Sequence, residues 1–157
     1  MPDPVAEDLY AKLLALCAKH AVPCWVDAYG LAMKRALECA TPPLLSKPNR
    51  QEFAQHHYWG RAEELHITNG DEPIKISGLH EGQWQVQPPK LKQINPVGSG
   101  DCYLAGLAHG WLVNMPYEER LRYAASAGAA NALRQDVAMI TPDDVKALLG
   151  KVRVKRV

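Results

Sequence analysis

The chain has 157 residues, 47% apolar and 22% charged, with a formal net charge of +1. That length suits a single domain able to bury roughly 70% of its unfolded surface. The near-neutral balance gives no global case for nucleic acid or a membrane surface, and no apolar run is long enough to span a bilayer.

Met1 is not followed by a signal-peptide pattern. The four cysteines, Cys17, Cys24, Cys39 and Cys102, form no C-x-x-C pair, so neither zinc nor redox spacing is present. A reducing cytoplasm is the expected compartment. The six histidines show no ligand spacing, and the adjacent His56 and His57 are expected at a helix end.

In chain order, Asp3-Pro4 pairs a capping residue with proline at the first helical position. Leu9, Leu13, Leu16 and Cys17 then share one helical face, predicted to turn to the core. Cys24 to Ala28 reads as a buried parallel strand with apolar residues on both faces, and Leu31 to Cys39 as a second helix. Leu44-Leu45-Ser46 is a brief strand. It runs into Lys47-Pro48-Asn49-Arg50-Gln51-Glu52, where Asn49 and Glu52 have the spacing of a capping box. The same pair suits a magnesium site that uses few carboxylates and several waters, and the two readings are compatible.

Glu64 to Thr68 is the next strand, leading into Asn69-Gly70. Ile74–Ser77 and Gln83–Val86 suggest a hairpin around Gly78 and Gly82, and Leu91 to Ile94 a further strand. Asn95 to Gly106, NPVGSGDCYLAG, reads as a glycine-rich turn opening a helix. Pro116 opens a long helix to about Leu133 whose centre is nearly all small residues apart from Asn131. Thr141-Pro142-Asp143-Asp144 starts the last helix, which Gly150 should stop, and KVRVKRV alternates like a solvated edge strand.

The glycine-rich stretch carries the chemistry. Main-chain N–H groups and the dipole at a helix start favour an anion. A carboxylate at Asp101 would repel a phosphate there unless it had a task. Phosphoryl transfer supplies one, a base for the attacking hydroxyl beside donors that hold the phosphoryl oxygens. Cys102 on the same turn is either a small buried residue or a stabilised thiolate.

NPVGSGD resembles the second signature of the ribokinase-like (PfkB) carbohydrate kinases, in the form found in the 1-phosphofructokinase and tagatose-6-phosphate kinase branch. KPNRQE, residues 47–52, resembles the KPNxxE motif of the same family. The resemblance implies an α/β fold, the C-terminal portion of a Rossmann-like three-layer domain with a mostly parallel sheet between helices. It implies ATP-dependent phosphorylation of a sugar or sugar phosphate. Asp101 would be the base, and Gly98, Ser99 and Gly100 the anion hole. Asn49 and Glu52 would organise Mg2+ and its waters. Lys47, Thr68, Gly70 and Asn131 would line the nucleotide site. Pro73 replaces the second glycine of the usual nucleotide turn, and Asn95 stands where an Asp near a monovalent cation is common, so no such cation is carried over.

The likeness runs the whole chain but matches only the second half of such a kinase. Residues 1–157 are therefore expected to form one truncated kinase domain without the sugar-binding and lid portion. Self-association or a complementary N-terminal half is expected to cover the exposed side. The alternative function is a non-catalytic nucleotide-binding or structural remnant. A Rossmann dehydrogenase fragment fits poorly, because no acidic residue follows the glycines at the required strand end.

Overall fold

The computed structural model describes residues 7–78 and 82–157. Asp3-Pro4 and the turn between Gly78 and Gly82 lie outside the described residues. Contacts divide the chain into two units, Met1–Asn69 with Lys75–Gln83, and Gly70–Ile74 with Trp84–Val157.

The first unit alternates helix and strand. Helix α1 (Leu9–Lys19) leads to β1 (Trp25–Val26), α2 (Gly30–Glu38), β2 (Leu45–Ser46), α3 (Arg50–Gln55) and β3 (Glu64–Ile67). Strands β1, β2 and β3 pair in parallel, with Val26 opposite Ser46 and Ser46 opposite Leu65. Strand β4 (Ile74–Gly78) pairs antiparallel with β3. Among the described residues parallel pairing joins three short strands and one bridge beyond them, so the sheet is more mixed than the mostly parallel one expected. The core joins Leu14 of α1 to Val26, Met33, Leu37, Trp59 and Leu65.

Helix α1 presents a different face from the predicted one. Leu14 is 3% exposed and Tyr10 packs against the core, whereas Leu9, Leu13 and Leu16 are 47%, 43% and 52% exposed. The helix carries leucines on both sides, and α2 selects the side with Leu14.

In the second unit β5 (Trp84–Gln87) pairs antiparallel with β6 (Arg153–Arg156), so the alternating tail does form a strand. Leu91 to Ile94 is not a strand. The N–H groups of Ile94 and Asn95 donate instead to Ala132 O, at 2.7 and 3.2 Å. Helices α4 (Ser99–Leu112), α5 (Tyr117–Ala132) and α6 (Pro142–Lys146) follow. Helix α6 stops before Gly150, which sits in a 3₁₀ turn over Leu149–Lys151.

Helices α4 and α5 pack main chain to main chain. A Cβ on Gly106 would lie 2.8 Å from Ala124 Cα, and one on Gly128 would lie 3.0 Å from Ser99 O. Small residues permit this approach, and it buries Ala124, Ala127 and Ala130 together with Tyr103, Leu107 and Leu121.

Candidate active site

The predicted residues fall into two clusters, one in each unit. In the first, parallel register carries the chain from Val26 opposite Ser46 to Asp27 beside Lys47. Lys47 is 7% exposed, and its Nζ lies 3.0 Å from Asp27 Oδ2. An ammonium this buried needs a counter-charge, and Asp27 supplies it. Lys47 was expected to meet phosphate directly. Asp27, its partner, was not singled out in the sequence, although its place just past an apolar strand was the available signal.

Two residues on, the capping box forms. Asn49 Oδ1 accepts from the N–H groups of Gln51 and Glu52, both at 2.9 Å, and the N–H of Asn49 donates to Glu52 Oε2 at 2.7 Å. Thr68 lies against this turn. Its carbonyl accepts from Arg50 N at 2.8 Å, and its N–H donates to Pro48 O at 3.0 Å. The ladder between β2 and β3 thereby extends to the first turn of α3.

This arrangement bears on magnesium. Asn49 Oδ1 already accepts two N–H bonds, so the cap and direct metal ligation compete for that oxygen. Glu52 uses Oε2 in the cap and is only partly buried. Among the described residues no group of three or more His, Cys, Asp or Glu side chains is placed to hold a metal. The donor set therefore suits a hydrated ion met through one carboxylate and waters, as Mg2+ bound to phosphates usually is.

The second cluster begins at Gly98, which has a left-handed φ of +79° and stands as the residue before α4. A Cβ there would lie 2.6 Å from Val137 Cγ1, so glycine is required by both backbone angle and space. No side chain caps α4. Gly98, Ser99 and Gly100 are half-buried, and Asp101 is exposed on the first turn. Cys102 behind them is 4% exposed; burial pushes its thiol pKa up and the charge of Asp101 pushes it further. The buried-residue reading of Cys102 holds, not the thiolate. Gly70 has a left-handed φ of +58° and open space around its Cα.

Asn131 was expected beside the nucleotide base, but it is fully buried. Its Nδ2 donates to Val97 O at 2.7 Å and Ser99 Oγ at 3.0 Å, and its Oδ1 accepts from Ala138 N at 2.7 Å. The amide clamps the glycine-rich turn to α5 and to the segment after it. In this structure it has no surface with which to touch a ligand. Asn95 adds a smaller clamp, accepting from Val97 N and donating to Gln135 O, both at 3.1 Å.

Known proteins share both sequence and fold. The pattern of the pfkB family carbohydrate kinases matches residues 1–144. The tagatose-6-phosphate kinase of Staphylococcus epidermidis is 28% identical over 171 residues, covering 98% of this chain and 55% of that protein. The 1-phosphofructokinase of Bacillus subtilis is 28% identical over 174 residues, covering 99% and 55%. Phosphofructokinase-2 of Escherichia coli, solved with potassium, superposes with a TM-score of 0.82 at 24% identity, over 96% of this chain and 54% of that one. A nucleoside kinase of Burkholderia thailandensis, solved with inosine, gives 0.72 at 20% identity, over 88% and 50%. The chain spans about half the length of the curated relatives it matches. With a family match over 144 consecutive residues and an α/β fold shared with these kinases, the chain belongs to the pfkB family of carbohydrate kinases.

Proposed function

We propose that this chain carries the phosphoryl-transfer half of an ATP-dependent kinase acting on a hydroxyl of a sugar phosphate. The observation behind this reading is the start of α4. The helix is entered through a left-handed glycine, lacks a side-chain cap, and carries an exposed carboxylate on its first turn. A helix start of that kind offers N–H donors to phosphoryl oxygens. Asp101 takes the proton of the attacking hydroxyl, and the N–H groups of Gly98 and Gly100 receive the charge that develops on the transferred group, while the expected third donor, Ser99 N, already donates to Pro96 O at 3.1 Å. Asn131 holds that turn in place from behind.

In the other cluster, Glu52 would hold magnesium through water, with Asn49 fixing the carboxylate by the capping box. Magnesium, when bound, neutralises phosphate charge. Lys47, held by Asp27, contributes positive potential at the ends of β1 and β2, and Thr68 borders the nucleotide; Gly70, in the second unit, is given the same role on this reading. ATP and a sugar phosphate are the substrates this reading requires, and the S. epidermidis and B. subtilis relatives are named for such acceptors.

A second reading is favoured by one observation, the 55% coverage of the relatives. On it, the chain binds nucleotide without turnover until a complementary kinase segment or a second copy covers the leucine face of α1. Exposed apolar stripes of this kind mark association surfaces. Thermal-shift titration with ATP and Mg2+ tests the common part of both readings, and an upward shift that needs both is expected. Absence of any shift removes nucleotide binding, and with it both readings. Sugar-phosphate-dependent ADP release from the chain alone removes the second.

A further inference from the structure

The end of α1 brings together two thiols that the proposed phosphoryl transfer does not use. The helix closes in a Schellman turn. Val22 N donates to Cys17 O at 2.9 Å and Ala21 N to Ala18 O at 3.1 Å, while Ala21 takes the left-handed φ of +53° that such a reversal demands. Pro23 follows, and Cys24 comes back over the last helical turn. Its carbonyl then accepts from Leu44 N at 2.9 Å, so the main chain fixes both cysteines.

Cys17 and Cys24 line one cleft of about 350 Å³, walled by Leu14, Val22, Thr41 and Leu44. Both thiols are reduced and only partly buried; Cys24 Sγ lies 3.9 Å from Trp25 O, and Cys17 is near enough to act on the Cys24 thiol. The other two cysteines are placed differently. The thiol of Cys39 donates to Ala36 O and Thr41 O, at 3.1 and 3.0 Å, and Cys102 is buried in the second unit.

We infer that Cys17 and Cys24 form a reversible dithiol–disulfide site, oxidised by hydrogen peroxide or an organic peroxide. The sulfur of Cys17 takes oxygen from the peroxide, becoming a sulfenic acid as the O–O bond breaks and water (or an alcohol) leaves. The thiol of Cys24 then attacks that sulfur, the S–S bond forms, and a second water carries off the oxygen and the thiol proton. Two thiols lose two electrons and one peroxide gains them. Burial and then the nearness of Cys17 push the Cys24 thiol pKa up, which makes Cys24 the slower of the two to meet peroxide, and its proton leaves as the S–S bond forms. The bond closes a short loop and ties the end of α1 to the entry of β1, the strand that leads to Asp27. In a reducing compartment it would be transient.

The site stands on geometry and is independent of the kinase reading. The experiment treats the purified chain with hydrogen peroxide, then alkylates, digests and maps it. Two of the four thiols should become unreactive, joined as a Cys17–Cys24 peptide that dithiothreitol releases. Cys17→Ser should abolish the cross-link and leave Cys24 alkylatable, and Cys24→Ser should leave Cys17 as a sulfenic acid that a dimedone probe captures. Four reactive thiols after treatment, a cross-link between two chains, or a pairing with Cys39 would each overturn the inference.

Discussion

Two helix starts, α3 and α4, stood out as phosphate and magnesium sites, and they are built in opposite ways. Helix α3 satisfies its own first turn. Asn49 accepts two N–H bonds and Glu52 returns one, so most of that end is spoken for before any ligand arrives. Helix α4 has no such side chain and is entered through a glycine in the left-handed region. A closed start contributes about 1 kcal/mol to its helix. An open start forgoes that: Ser99 N turns back to Pro96 O at 3.1 Å, and no side chain takes the donors that follow it. On the proposed function, the open start of α4 is the one that takes the phosphoryl group, and α3 has the carboxylate of Glu52 to offer.

The sharpest way to break this contrast is at Asp101. In any assembly of this chain that turns over, Asp101→Asn should keep fold and nucleotide affinity while cutting kcat by roughly 10²–10⁴. Near-normal turnover would remove the base from α4. The next largest effect is expected behind the same turn. Asn131→Ala deletes a buried amide that makes three hydrogen bonds and strands their partners. Destabilisation of roughly 2–4 kcal/mol is expected in denaturant unfolding. A loss below about 1 kcal/mol would mean the turn is held by its glycines alone.

At α3 the expected change is functional rather than structural. Glu52→Gln retains a capping side chain, so stability should move by less than about 0.5 kcal/mol. The magnesium concentration needed for the ATP thermal shift should rise, and an unchanged requirement would make α3 a cap and nothing more. The smallest effect concerns a third start, the closed one at α6. Thr141 N–H and then its hydroxyl donate to Asp144, holding that carboxyl below its ordinary pKa against the opposing desolvation, with Arg134 adding least. A depressed folded pKa gives stability that is present above the unfolded value near 4 and lost as pH falls through the folded one. Asp144→Asn should therefore lower stability in the neutral region and flatten the acid limb, so that the variant and the parent converge as pH falls below about 4.

What the sequence revealed about these starts follows from range. The box at Asn49 and Glu52 spans three residues, and the turn at Gly98 and the proline start of α5 are equally local, so composition and spacing reach them. The face of α1 is not local. Leucines at 9, 13, 14 and 16 fill both sides of the helix, and only packing against Met33 and Leu37 decides which side turns inward. Leu91 to Ile94 looked like a strand because it follows two strands. Its N–H groups find Ala132, nearly forty residues on, instead of a neighbouring strand. Asn131 was noticed for the right reason, a polar residue among small ones. Its partners lie 34, 32 and 7 residues away, so a clamp could not be told from a ligand contact. Asp27 and Lys47 meet only because β1 and β2 run parallel in one register.

The main-chain contact between α4 and α5 has a consequence for how this chain can diverge. Every replacement of Gly106 adds at least a Cβ, and that atom would arrive 2.8 Å from Ala124 Cα, against backbone that cannot swing aside. Gly128 is nearly as confined, and its obstacle is the carbonyl of Ser99 in the turn itself. Neutral drift is thus closed off at these two positions, since a side chain at Gly106 would push α4 from α5 and one at Gly128 would push on the glycine-rich turn. The half-exposed leucines of α1 face no such wall. Lineages of this chain should accumulate their differences on α1 and keep the α4–α5 seam almost fixed, so that the rate of change along the sequence itself records where the two backbones touch.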